Sequence, residues 1–326
     1  MANQVSGAKT KVMMGFETAY GVELTTPGTK AKLFQILSET FKGDQGLKAS
    51  ALIGSDPNPR DPITLRKNAM GDIKTYIQSK SFGYLTYWAL GSVAPTGVGP
   101  YVHVIKPSLD EVFADLDEEI PFDAGSKWKR ALGVACNTFT FGFKADDFAE
   151  VTFGSSCSDV IQQTAVYSAT PTDYTDESSY DDKAHLAAAD LKLGGSATAK
   201  ILTLSGTWNW NRFMDDYRSG QSGTRNSNPK KRGSLGGTAR LALEAVADWD
   251  LARGNPVTTS FEWKYSIDAD TYVKFEIPRV TLSRTDPSVA DDGPMFLDVN
   301  WMASKDSGIG TSFRITVGSA IASYTT

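Results

Sequence analysis

The chain has 326 residues, 40% of them hydrophobic and 22% charged, with 29 glycines and 14 prolines. At roughly 150 residues per domain this is about two domains, and the balance excludes a disordered chain, a collagen-like repeat and a disulfide scaffold. Lys and Arg number 33 against 38 Asp and Glu, a net charge of -5; cut at residue 160, both halves are slightly acidic, which excludes a basic module that binds nucleic acid by neutralising phosphates.

At the N-terminus Lys9 and Lys11 precede only a short apolar run, Val12-Met13-Met14, too short for a signal-peptide core of about 7 to 15 residues. Gly71 to Ile77 alternates as a strand beginning at its glycine. Ser81 then caps a short helix with Phe82, Leu85, Ala89 and Leu90 on one side, ended by Gly91. Ser81 to Ile105 lacks Asp, Glu, Lys and Arg, yet Gly83, Gly91, Pro95, Gly97, Gly99 and Pro100 break it, so no membrane span and a soluble protein are expected. Period-2 alternation dominates the rest. Phe139, Phe141 and Phe143 share one strand face, as do Ala149, Val151 and Phe153. Gln162 to Lys183, with Asp173, Asp176, Glu177, Asp181 and Asp182 among Ser, Thr and Tyr, reads as a solvated linker. Beyond it come a strand from Gly237 to Leu243, a second short helix from Asp248 to Gly254, and strands carrying Phe261-Trp263-Tyr265, Val273-Phe275-Ile277 and Leu297-Val299-Trp301. The pattern is that of a mostly antiparallel β protein with one polar face per strand.

These elements repeat. Laying Gly71 on Gly237 brings Lys74 onto Arg240 and Ile73 onto Ala239. Asn58-Pro59-Arg60 matches Asn228-Pro229-Lys230, Phe139-Thr140-Phe141 matches Val280-Thr281-Leu282, and Phe148 to Phe153 matches Phe296 to Trp301 in register, with Glu150 on Asp298 and Val151 on Val299. Matches in one order point to an internal duplication. The expected organisation is an N-terminal arm, 1–30; a first β-sandwich or barrel domain with one flanking helix, 31–160; the acidic linker, 161–185; and a second copy, 186–326.

Chemistry is sparse. Cys136, Cys157, His103 and His185 are too few and too scattered for a zinc cluster or disulfide framework, and they suit a reduced compartment. His103, in an alternating Tyr101-Val102-His103-Val104, reads as a strand residue facing solvent or a neighbour rather than a base, and His185 lies in the linker. Gly233 to Gly237 lacks the lysine of a phosphate loop. Acids beside Trp249 and Trp263 (Asp248, Asp250, Glu262) read as polar-face residues rather than a glycosidase pair. Asp181-Asp182 and Asp291-Asp292 lack the spacing of a calcium loop. Lys230-Lys231-Arg232 reads as a loop meeting an acidic neighbour subunit rather than a phosphate patch, because no aromatic interleaves with it. No enzyme, cofactor or metal is expected. Trp208 and Trp210, two apart on one strand face, keep open a carbohydrate-binding or adhesin-like β-sandwich.

Glu17-Thr18-Ala19-Tyr20-Gly21, Asn58-Pro59-Arg60, Gly71-Asp72-Ile73, Leu90-Gly91-Ser92, Pro100-Tyr101-Val102-His103 and the closing Gly310-Thr311-Ser312-Phe313 to Ser323-Tyr324 together resemble, over nearly the whole chain, a major tail tube protein of a long, non-contractile-tailed bacteriophage. The resemblance implies a structural virion protein, assembled in the bacterial host cytoplasm, whose duplicated domains close pseudo-six-fold rings of three chains. Those rings would stack into a tube that conducts double-stranded DNA without sequence-specific binding. Contractile-tail or type VI secretion tubes are the alternative within that class. It also implies partners: further copies of the chain and the tail tip, tape measure and terminator proteins of the virion. On this reading Glu150 and Asp298, with Asp72 and Glu276 behind them, line the bore. Arg60, Arg66, Arg225, Lys230, Lys231 and the arm before Gly21 make contacts between rings or subunits.

Overall fold

The computed structural model describes residues 10–48, 61–122, 125–144, 149–175, 190–198, 200–218, 224–244, 258–283 and 295–325. The first half contributes β1 (Val12–Phe16), β2 (Lys32–Phe34), β3 (Ser38–Glu39), β4 (Lys42–Lys48), β5 (Ile63–Tyr76), α1 (Ser81–Leu90), β6 (Gly91–Thr96), β7 (Tyr101–Pro107), β8 (Ala114–Phe122), β9 (Gly125–Lys144), β10 (Glu150–Ser156), β11 (Asp159–Gln163) and β12 (Thr172–Asp173). The second half contributes β13 (Leu191–Leu193), β14 (Ser196–Ala197), β15 (Ile201–Asn209), β16 (Ser234–Ala242), β17 (Thr258–Ser266), β18 (Tyr272–Leu282), β19 (Phe296–Ala303) and β20 (Arg314–Ser319). The protein is mostly β, as the alternation predicts; the second expected helix lies outside the described residues.

One antiparallel pairing scheme occurs in both halves. In the first, β2 pairs β1, β1 pairs β8, and β8 pairs β9; β9 also binds β11 and β10, and β10 continues to β5 and β4. In the second, β14 pairs β13, β13 pairs β17, and β17 pairs β18; β18 also binds β20 and β19, and β19 continues to β16 and β15. The strands β9 and β18 are long because each serves two layers, its N-terminal part pairing outward strands and its C-terminal part joining an inner sheet, with β17 following β18 as far as Thr281. Opposite Val151 stands Thr75, and opposite Val299 stands Ala239. Counted from those valines, the residue matching Ala239 is Thr75, two along from the expected Ile73. An even offset leaves every side chain on its own face.

The halves share one hydrophobic core. Phe141 stacks on Phe275 at 5.3 Å and on Phe313 at 5.7 Å, and Trp263 lies flat on Phe275 at 4.7 Å. Burying each such ring contributes about 1.5–3 kcal/mol. Against these rings packs α1, nine of whose ten residues are buried. A helix enclosed on all sides carries no polar stripe, which explains its uncharged sequence. Gly91, at φ 88°, ends it by returning its N–H to the Tyr87 carbonyl. Ser81 is not the cap: Lys80 holds that position, and the Ser81 hydroxyl donates to Gln78 Oε1 at 2.8 Å.

Several expectations are corrected by packing. Neither repeat glycine starts its strand. Gly71 and Gly237 lie inside β5 and β16, where a Cβ would come within 2.4 Å of Phe41 Cα and 1.8 Å of Ser205 O; the glycines permit close approach of backbone. The N-terminal segment is not a free arm from Val12 onward, because β1 is paired on both edges and Val12, Met13 and Met14 are buried. The linker composition hides a strap: β11 pairs β9, β12 runs parallel to β2, and Tyr167 and Tyr174 are each 5% exposed. His103, on β7, faces neighbouring residues and not solvent, the second of the two settings its alternation allows. Buried completely, it donates from Nε2 to the Ile321 carbonyl at 2.7 Å and meets the Tyr324 ring at 4.4 Å.

Candidate functional site

The inner strands follow one another without a break in the order β4, β5, β10, β9, β15, β16, β19, β18. The C-terminal part of β9 joins the halves through β15, Thr140 standing opposite Thr207. One face of this eight-stranded run carries Ile73, Phe139, Phe141, Val151, Phe153, Leu204, Ala239, Val299 and Trp301 into the core. Alternation then sends the intervening residues to the other, open face.

Polar residues that carry no charge make up most of that open face. A single register row runs Lys74, Thr152, Thr140, Thr207, Gly236, Met302, Thr281 across seven strands. Hydroxyls bond across the joint: Thr140 Oγ1 with Thr207 Oγ1 at 3.0 Å, and Ser205 Oγ with Thr238 Oγ1 at 2.9 Å. A shallow concavity of about 440 Å³ follows the joint, lined by Thr140, Gly142, Glu150, Thr152, Thr203, Ser205 and Thr238. Four of its charges form two cross-strand pairs. Lys74 Nζ meets Glu150 Oε2 at 2.6 Å between β5 and β10, and Arg240 Nε stands 3.7 Å from Asp298 Oδ1 between β16 and β19. Sequence reasoning singled out the two acids and missed the hydroxyl rows. Laying Gly71 on Gly237 set Lys74 on Arg240, but in the register of the strands Tyr76, opposite Glu150, holds the place of Arg240, opposite Asp298, and Lys74 reaches Glu150 diagonally.

Asp72, opposite Gly154, shares this open face with Glu150 and Asp298. Glu276 does not join them. It lies on the N-terminal part of β18, bound by Arg314 at 2.6 and 2.9 Å and by Lys274 at 2.9 Å. Burial would raise its pKa, but those hydrogen bonds outweigh burial and hold the carboxyl below its ordinary value.

The basic residues divide sharply. Arg225 is 3% exposed; its guanidinium donates to the carbonyls of Met214 at 2.8 Å and Cys157 at 2.6 Å. Lys230 reaches the Ser108 carbonyl at 3.1 Å and sits 4.5 Å over the Trp210 ring. Burial, aided by the charge of Arg212, pushes its ammonium down to about 8. Both residues are therefore spent inside the chain, because long cationic side chains on a loop can turn inward to backbone oxygens. Arg212, which the sequence did not flag, works with them: its Nε donates to the Cys136 carbonyl at 2.7 Å and its Nη1 to Glu111 Oε2 at 2.9 Å. Together these side chains fasten the loop between β15 and β16 onto the first half. Arg66 and Lys231 remain exposed, Arg66 3.6 Å from Asp215. Arg60, His185, Asp248, Asp250 and the Asp181-Asp182 and Asp291-Asp292 pairs lie outside the described residues.

Trp208 and Trp210 form no sugar platform. They are 5% and 3% exposed and packed edge to face at 5.0 Å, with Trp210 Nε1 donating to the Ala89 carbonyl at 2.8 Å. Both cysteines are buried and free, and burial pushes each thiol up to about 12. Among the described residues no cluster of His, Cys, Asp and Glu is arranged to hold a metal ion, and no helix is long and apolar enough to cross a membrane.

The sequence matches the phage tail tube protein family model over residues 7–303. The chain belongs to the phage tail tube protein family. It is thus a structural component of the virion tail and not an enzyme. Comparison with curated proteins found none that matches.

Proposed function

We propose that this tail tube protein is a duplication of one tube domain, and that three chains close a ring whose bore is lined by the open face of β4 to β18. Stacked rings then form the conduit through which double-stranded DNA leaves the particle of a long, non-contractile-tailed phage. The observation that carries the reading is the recurring order of the inner strands: β4, β5, β10, β9 and then β15, β16, β19, β18. Inside the chain, β15 is seated on the edge of β9. By the same relation β4 of one chain is seated beside the C-terminal end of β18 in the next, past Thr281, where the pairing of β18 with β17 stops. All seven residues of β4 are exposed, and β5 is its one strand partner among the described residues. A long bare edge of that kind is normally covered, and ring closure covers it. Six quartets per ring come from three chains. The tail tip, tape measure and terminator proteins are the partners at the ends and inside of such a tube.

Imaging the purified chain by electron microscopy after nucleated assembly tests this reading. Tubes with three chains per ring are expected. Rings of six chains, or no polymer under any nucleating condition, contradict it.

A further inference from the structure

We infer that the two cross-strand ion pairs of the open face, Lys74 with Glu150 and Arg240 with Asp298, mask positive charge so that duplex phosphate passing the face meets no bare base at the centre of either quartet. The inference rests on the reading of that face as the wall of the bore.

The pairs occupy corresponding strands, β5 with β10 and β16 with β19. None of the four side chains is buried, with exposures of 41% and 38% in the first pair and 48% and 76% in the second. Half-exposed pairs contribute little to stability, and in the register row of Lys74 the next three strands carry the uncharged Thr152, Thr140 and Thr207. Holding the fold is therefore a poor account of why both quartets keep a base there together with an acid placed against it. Interaction with a polyanion is a better one. Double-stranded DNA carries one charge per about 1.7 Å of axis, and each lysine or arginine that reaches a phosphate releases counterions and holds the strand. A base neutralised by an acid in contact presents only a dipole, whose field dies within the screening length of about 8 Å at physiological salt. The Arg240 guanidinium also lies over the Phe296 ring, 4.7 Å from its centroid, a contact on the wall itself. Toward the β4 end of the face Lys42 stands 3.1 Å from Asp44 and Arg66 3.6 Å from Asp215, while Asp72 on β5 and Arg279 on β18 have no ion-pair partner among the described residues.

Unmasking is consequently asymmetric. Removing the acids bares two bases per chain, whereas removing the bases leaves acids that repel phosphate and keep the duplex off the wall. The test compares three sets of assembled tails: Glu150→Gln with Asp298→Asn, Lys74→Gln with Arg240→Gln, and a charge-swapped set in which Lys74→Glu accompanies Glu150→Lys and Arg240→Asp accompanies Asp298→Arg. Triggered DNA ejection is followed over a range of ionic strength, and each tube is imaged to locate the face. The acid-removed tails should eject several-fold more slowly at low salt and recover as salt rises. The base-removed and charge-swapped tails should stay within twofold of the unmodified ones. Equal rates for the acid-removed and base-removed sets, or a slowing that salt does not relieve, in tubes whose images put the face on the bore, overturn the masking role alone. Images with the face on the outer wall overturn the reading beneath it as well. Should the first two sets fail to assemble, the charge-swapped set still decides: slow, salt-relieved ejection with the pairs intact contradicts masking.

Discussion

The two quartets of inner strands share an order of pairing, but their surroundings differ, and the difference shows where the molecule is fastened. From the first half a hairpin, β6 with β7, reaches out and adds β7 to the edge of β20 in the second. No described strand of the second half makes the corresponding contact on β11. The joint inside the chain is thereby closed on both layers, by β9 with β15 and by β7 with β20, and the loop bearing Arg212, Arg225 and Lys230 binds it a third time. Outside the chain, β4 offers only an exposed edge. A ring built from such units has permanent joints within chains and assembled joints between them.

The largest expected effect tests whether the quartets are equivalent at their tightest point. In Gly237→Val the new side chain drives β15 away from β16, because a Cβ there would lie 1.8 Å from Ser205 O. A loss of about 3 kcal/mol is expected, the upper end of the usual cost of overpacking, read by denaturant unfolding. Gly71→Val, at the tightest point of the first quartet, carries a comparable cost, since its Cβ would lie 2.4 Å from Phe41 Cα; a neutral Gly71→Val would show that the first quartet is not packed as closely as the second.

Next comes the inner joint. Arg225→Ala strands the carbonyls of Met214 and Cys157 in a buried site, and hydrogen bonds from a charged donor are worth about 1.5–3 kcal/mol each. A destabilisation of about 3 kcal/mol is expected, against at most about 0.5 kcal/mol for Arg66→Ala on the exposed surface. Equal effects would mean that the loop is not the fastening.

A smaller effect separates the outer layer of the first half from that of the second. Glu17 accepts from the Gly21 N–H at 2.8 Å and from Gly133, and its carboxyl neighbours that of Asp115, which accepts from Leu24 N–H at 2.8 Å and Tyr167 Oη–H at 3.1 Å. Burial, then the neighbouring Asp115, pushes the Glu17 carboxyl up to about 10, so the folded pair holds a proton that the unfolded chain gives up near pH 4.5. The stability this proton brings is complete below that value and is lost as pH rises toward 10. Melting temperature should fall across neutral and alkaline pH. Glu17→Gln, whose amide replaces the shared proton as donor, should flatten that slope; an unchanged slope removes the pair as its source.

Much of this was legible because period 2 is a strong signal. Phe139, Phe141 and Phe143 point to one side in the sequence and are buried together in the structure, and Gly91 ends α1 as its position predicts. What alternation leaves open is which side of a strand meets water. Trp208 and Trp210 share a face by spacing alone, yet that face is the core. Composition misled in the same way at Arg225 and Lys230, where charge suggested exposure while backbone carbonyls supplied the partners, and in the polar stretch that Tyr167 and Tyr174 pin down. The acids of the open face were visible one by one. Their pairing was not, because it depends on which strands become neighbours and in which register.

The most direct measurement is the structure of the assembled tube by electron cryomicroscopy. The account predicts that Thr140, Thr207, Glu150 and Asp298 face the bore, with β4 of each chain beside β18 of the next and three chains in every ring. A tube with those residues on its outer wall, or with β4 unpaired between chains, would contradict it.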